Sequence, residues 1–168
     1  MKVESTLPAA LGFTSADLEA NRRGKLSQAQ IERMTIKRHR NSLVAAVLFV
    51  AMALGATILF YMGQLSHSTI LFGAGAMLSI INAIMVGRAG RAFMQVGGDL
   101  RVGQVEILAG DVERVLRRGR ALDNYLLRIN GSEFFVTRDV FMGFRHEAPY
   151  RIYRASYSGQ LLSAEPDG

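Results

Sequence analysis

The chain contains no cysteine. That excludes disulfides, thiolate catalysis and cysteine-ligated zinc, and it fits a domain facing a reducing cytosol. The second absence is charge: residues 41–87 hold no Lys, Arg, Asp or Glu. The third is catalytic spacing. No nucleophile elbow, Walker loop, dinucleotide fingerprint or zincin motif is present. The three histidines, His39, His67 and His146, are scattered, and Arg145-His146-Glu147 is one adjacent triplet in an expected loop. No catalytic residue, cofactor or metal site is therefore assigned, and a non-enzymatic protein is expected. Residues 1–18 have no continuous apolar core, so no cleavable signal peptide is expected.

The uncharged stretch organises the rest. One membrane span needs about 20 apolar residues, and 41–87 is long enough for two, broken near its middle by Gly63-Gln64-Leu65-Ser66-His67. We read 43–62 and 69–87 as an antiparallel transmembrane hairpin. A buried helical pair in a soluble protein would carry polar residues on its outer faces; these two segments are apolar all round.

Charge placement gives the orientation. Residues 1–41 carry eight Lys/Arg against four Asp/Glu, Arg88 and Arg91 follow the second span, and residues 92–168 balance at ten of each. Positive charge flanks the hairpin on one side only, so the positive-inside rule puts both termini in the cytoplasm. The basic excess lies within reach of a bilayer and not across a folded face, which points to the membrane and away from nucleic acid.

Three regions follow: a basic helical arm (1–41), the hairpin with its cytoplasmic extension (42–98) and a small β domain (99–168). In the arm, Ser15 is expected to cap a short helix ending before Gly24. Ser27-x-x-Gln30 reads as a capping box that starts a second helix, able to continue into the membrane. Residues 19–30 have the skeleton of a calcium loop, but Arg23 stands at its fifth place and Gln30 replaces the final carboxylate, so no calcium site is assigned. Lys37, Arg38 and Arg40, with Arg88 and Arg91, lie at headgroup level as snorkelling anchors or as ligands for anionic lipid.

Within the hairpin, Gly75, Ser79, Ala83 and Gly87 recur every four residues, and Ala51 and Gly55 repeat the spacing. Small residues so placed let helices approach closely, first of all the two helices of one chain and then a second copy. Asn82 has no ionisable neighbour in either span and reads as an interhelical hydrogen bond, not an ion path.

Beyond Gly97-Gly98 the pattern turns β. Strands are expected at 104–108, 112–116, 125–129, 134–137, 150–155 and 161–163, with Gly110-Asp111 a bulge inside one bent strand. Asn130-Gly131 is the favoured pair for a type I′ turn. It sets Leu127 opposite Phe134, Tyr125 opposite Val136 and Arg128 opposite Glu133. The sequon Asn130-Gly131-Ser132 would be silent in the cytoplasm. A helical turn at 138–144 is expected, pinned by Phe141 and Phe144, and Arg117-Arg118-x-Arg120 reads as a solvated turn. The fold class expected is a membrane α-helical hairpin plus a small all-β domain, a five- or six-stranded SH3-like or OB-like barrel able to fold alone.

Ala20-Asn21-x-x-Gly24-x-Leu26-Ser27-x-x-Gln30, the hairpin and the tail Tyr150-Arg-Ile-Tyr153…Leu161-Leu-Ser163-x-Glu165 resemble uncharacterised bacterial membrane proteins with a two-helix anchor and a small β domain. In layout alone the chain also resembles the membrane-attached OB-like proteins that assist stomatin-type partners. The resemblance implies a bacterial inner (plasma) membrane location and no activity. Three roles are compatible with it: a β domain docking a protein partner or serving as an accessory subunit, an anionic-lipid organiser, and a helper subunit of a transport assembly. The bilayer, a protein partner or self-association are the expected interactions.

Overall fold

A computed structural model describes residues 7–118 and 124–167. They form ten elements: α1 (Leu7–Leu11), α2 (Ser15–Arg22), α3 (Gln28–Leu65), α4 (Thr69–Val102), β1 (Val105–Arg117), β2 (Asn124–Ile129), β3 (Ser132–Val136), α5 (Arg138–Gly143), β4 (Ala148–Ala155) and β5 (Leu161–Pro166). The chain divides into two compact units. One joins the segment ending at Glu32 to the segment beginning at Arg101, and the other runs from Arg33 to Leu100.

The second unit holds most of α3 and α4. The sequence has no proline between Pro8 and Pro149, so nothing breaks either helix. α3 is continuous over 38 residues, about 57 Å at 1.5 Å per residue, and α4 runs past Arg88 and Arg91 to Val102. Both are long and apolar enough to cross a membrane. Only 6% of the most apolar part of α3 and 11% of that of α4 is buried, which separates them from the core helices of a soluble protein. Val47, Leu54, Ile58, Ile70, Ile80 and Ile84 all point outward. The hydroxyls of Thr57, Ser66 and Ser79 donate to carbonyls one turn back, at 2.9, 2.6 and 2.9 Å, so these polar groups need no solvent. His67, at φ 48°, makes the turn between the helices.

The first unit differs from the expected layout in two ways. The sheet is not closed into a barrel. Its five strands are antiparallel in the order β3-β2-β1-β4-β5, and β3 and β5 remain edges. As expected, residues 104–108 and 112–116 fall in one long strand, β1, whose residues 105–112 pair with β4 and whose residues 113–117 pair with β2. Helices close the core where a barrel would use strands. Leu7 and Phe13 pack with Val112, Leu127, Ile129, Phe134, Phe141, Phe144, Tyr150 and Ile152. The second difference is thus the start of the chain. Residues 7–32, read as part of a separate arm, belong to the sheet's own unit, because that face of the sheet has too few apolar partners without them.

Local signals explain the junctions. The N-cap of α2 is Thr14, one residue before the expected Ser15, in a reciprocal box with Asp17. Gly24 (φ +72°) ends the segment, and its carbonyl accepts from Val105 N at 3.0 Å while Leu26 N donates to Gly103 O at 3.0 Å. The Ser27–Gln30 box starts α3, with Ser27 N bonding Gln30 Oε1 at 3.0 Å and Gln30 N bonding Ser27 Oγ at 3.1 Å. Asn130 (φ 46°) and Gly131 (φ 76°) make the β2–β3 turn, with Leu127 opposite Phe134, Tyr125 opposite Val136 and Arg128 opposite Glu133.

Candidate functional site

Two of the three segments that carry the resemblance, the 20–30 motif and the tail, meet in the first unit, along one seam between α2 and the β4–β5 pair. The capped turn at Thr14 aims the last turn of α2 at β5. Asn21, fully buried, donates through Nδ2 to Ser163 Oγ at 2.7 Å. Arg22 Nε lies 3.1 Å from both oxygens of Glu165, and the Tyr153 hydroxyl donates to the same carboxylate at 2.6 Å. Arg151 pairs with Asp167 at 2.6 Å. Asp17, 1% exposed, accepts from the Ser27 hydroxyl and so ties α2 to the start of α3.

Electrostatics follow from these contacts. The hydrogen bond from Arg22 holds the Glu165 carboxyl below the usual carboxylate range, and burial pushes the Tyr153 hydroxyl up. Glu165 therefore favours its ionised form more in the folded chain than in the unfolded one. The stability this adds is fully present above the unfolded carboxylate pKa of about 4.3 and is lost as pH falls through the folded value. Melts of the full-length protein between pH 7 and pH 3 are expected to fall steeply below about pH 4, and Glu165→Gln is expected to flatten that limb. Tyr153→Phe is expected to cost about 1.5–3 kcal/mol at pH 7 by removing a bond to a charged acceptor.

A second charged lattice stiffens the outer face of β1, β2 and β3. Arg128 reaches Glu133 at 2.8 Å and Glu113 at 3.3 Å, and Arg117 reaches Glu133 at 3.3 Å. The Arg128 bond lowers the Glu133 pKa. Of the triple-arginine turn, Arg117 is thus in an ion pair, Arg118 is exposed, and Arg120 lies outside the described residues. Arg114 pins α5, stacking on Phe141 at 4.4 Å and donating to Phe144 O at 3.2 Å.

In the second unit, Asn82 is buried and donates to Phe49 O of the facing helix at 3.3 Å. Gly75 lies against Ala56, since a Cβ built there would be 3.2 Å from Ala56 O. Gly55 faces Leu78, and Ser79 is half-buried. Ala51, Ala83 and Gly87 are exposed, and Gly87 has open space over it. The reason is angular. A four-residue step advances 400°, so three such steps carry a ladder about 120° around the helix. The seam instead uses positions seven apart, Gly75 with Asn82 and Ala56 with Gly63, whose drift is only about 20° per step.

The basic residues of this unit do not act as one set. Arg38 stacks on Phe93, its guanidinium carbon 3.7 Å from the ring centre, and packs beside Gly97. Lys37, Arg40, Arg88 and Arg91 are exposed. A headgroup-level Arg over an aromatic ring spends its charge on helix pairing, which spacing alone did not distinguish. Among the described residues no cluster of His, Asp or Glu has the form of a metal site.

The sequence reading also missed Phe135. It follows from the β2–β3 register, because with Phe134 turned to the core the next residue must face away, and Phe135 is 72% exposed. No family model, no curated protein and no solved structure matches the chain.

Proposed function

We propose that the chain is a non-enzymatic integral membrane protein whose sheet unit docks a protein on the cytoplasmic side of a bacterial inner membrane. The observation that carries this reading is the open edge of β3 with Phe135 exposed on it. The charges nearby, Arg117, Arg128 and Glu133, are spent on one another, and at the other end of the sheet β5 has α1 and α2 packed against it. An uncovered sheet edge with an exposed aromatic is a ready template for strand pairing. The positive residues on one side of the two apolar stretches support a two-pass topology with both termini inside.

Single cysteines placed in this cysteine-free chain test the reading. In intact cells, His67→Cys is expected to react with an impermeant maleimide, and Tyr157→Cys only after lysis. Photo-crosslinkers on the sheet unit are expected to give protein adducts. Labelling of Tyr157→Cys from outside would sink the topology, and lipid adducts alone would sink the docking role.

A second reading, an organiser of anionic lipid, is favoured by the exposure of Lys37, Arg40, Arg88 and Arg91. It predicts that neutralising each of them lowers anionic-lipid retention about fivefold in native mass spectrometry, since each basic residue near a membrane surface contributes about 1 kcal/mol. Arg38→Ala is expected to leave lipid retention unchanged, because its guanidinium is held on Phe93.

A further inference from the structure

We infer that the docking edge takes a second copy of this chain, β3 against β3 in antiparallel register centred on Phe135. The inference rests on the docking reading and names its partner.

The backbone argument comes from the hairpin. A two-residue type I′ loop is closed by a hydrogen-bonded pair, here Ile129 with Ser132. Hydrogen-bonded and non-bonded pairs then alternate, so Ser132, Phe134 and Val136 spend their N–H and C=O groups on β2. Those of Glu133 and Phe135 point to the open side, where no described strand pairs with them. Thr137 continues the extended backbone at φ −72° and ψ 160°. A twofold axis through Phe135 makes Phe135 with Phe135 of the partner a bonded pair and sets Glu133 opposite Thr137 on either side. The outward groups therefore match only others of the same parity: this register bonds Phe135 to Phe135 of the second copy through both backbone groups, and Thr137 N to Glu133 O on either side, the Thr137 carbonyl being held by Phe141 N at 3.0 Å.

Side chains agree with that register. Val115, Leu126 and Phe135 stand directly opposite one another across β1, β2 and β3, an apolar row that stops at the 72% exposed ring. The twofold extends the row without a break into the same three residues of the partner. The adjoining row is Glu113, Arg128 and Glu133, closed by ion pairs of 3.3 and 2.8 Å. Glu133 brings no free charge to the edge, so two copies meet without repulsion, and a charged partner finds nothing to complement. The edge lacks the proline, lysine or bulge that guards exposed strands. Confinement of both copies to one bilayer raises their effective concentration, so a short strand interface suffices.

The test uses the full-length protein in proteoliposomes. The wild type is expected to be dimeric, and Phe135→Lys to weaken association by at least about tenfold, since each copy would lose the burial of one phenylalanine, with an unchanged circular dichroism spectrum. Under mild oxidation Phe135→Cys is expected to crosslink to itself. Glu133→Cys is not, because its twin lies about 13 Å away along the strands, but it is expected to crosslink to Thr137→Cys in mixed samples. Self-crosslinking of Glu133→Cys, or a dimer indifferent to Phe135→Lys, overturns the register. A different protein seated stoichiometrically on β3 overturns this inference and leaves the docking reading standing. A monomer whose sheet unit yields no protein adduct overturns both.

Discussion

A chain reduced to residues 99–168 is expected not to fold, although it contains every strand. The face of the sheet that carries Val112, Leu127, Phe134 and Ile152 is closed by Leu7 and Phe13 as well as by α5. Burying one large apolar side chain is worth about 1.5–3 kcal/mol, so losing these two removes about 3–6 kcal/mol. The same cut leaves Ser163 without Asn21, a further cost of about 1–3 kcal/mol for a buried polar group stripped of its partner. The sum rivals the whole stability of a small domain, about 5–15 kcal/mol. Residues 7–32 joined to 101–168 by a flexible Gly/Ser linker are expected to restore a cooperative thermal transition and dispersed amide resonances. A cooperative melt from 99–168 alone would show that α1 and α2 are attachments to the sheet and not part of its core.

The same example shows where the sequence stops being legible. Elements with local causes could be read directly: the Ser27–Gln30 box, the Asn130-Gly131 turn and its register, the α5 turn, and two apolar helices. Each depends on neighbours within a few residues. The separate arm and the closed barrel failed because both turn on long-range pairing. Nothing near Leu7 announces that it packs with Ile152, and no motif states that β1 divides its length between two partners. Asn21 and Ser163 lie 142 positions apart; they stood out as motif residues, but their contact was not deducible. Arg38 was grouped with Lys37 and Arg40 because charge spacing along one helix carries no information about a ring on the next. Asn82 could be read correctly because an amide in an apolar helix has few ways to satisfy itself.

Gly63→Leu and Gly75→Leu are expected to pry the two long helices apart, while Gly87→Leu is expected to change nothing in their pairing. Sequence spacing alone ranks Gly75 and Gly87 together. In the structure a Cβ at Gly63 would sit 2.9 Å from the backbone nitrogen of Phe72, and one at Gly75 3.2 Å from Ala56 O and 3.3 Å from the Phe60 ring. Backbone cannot step aside as a side-chain tip can, so the helices themselves must move. Overpacking of this kind typically costs about 1–3 kcal/mol, and it also draws Asn82 away from Phe49 O. With no cysteine in the chain, spin labels can be placed at Val47 and Ile84, which are exposed at 61% and 56%. The parent and Gly87→Leu should give one narrow distance, and the other two variants a longer and broader one. If Gly87→Leu broadens it as much as Gly75→Leu does, the helices pair along the four-residue ladder and the heptad seam is wrong. If neither Gly63→Leu nor Gly75→Leu has an effect, close backbone approach is not what holds the hairpin together.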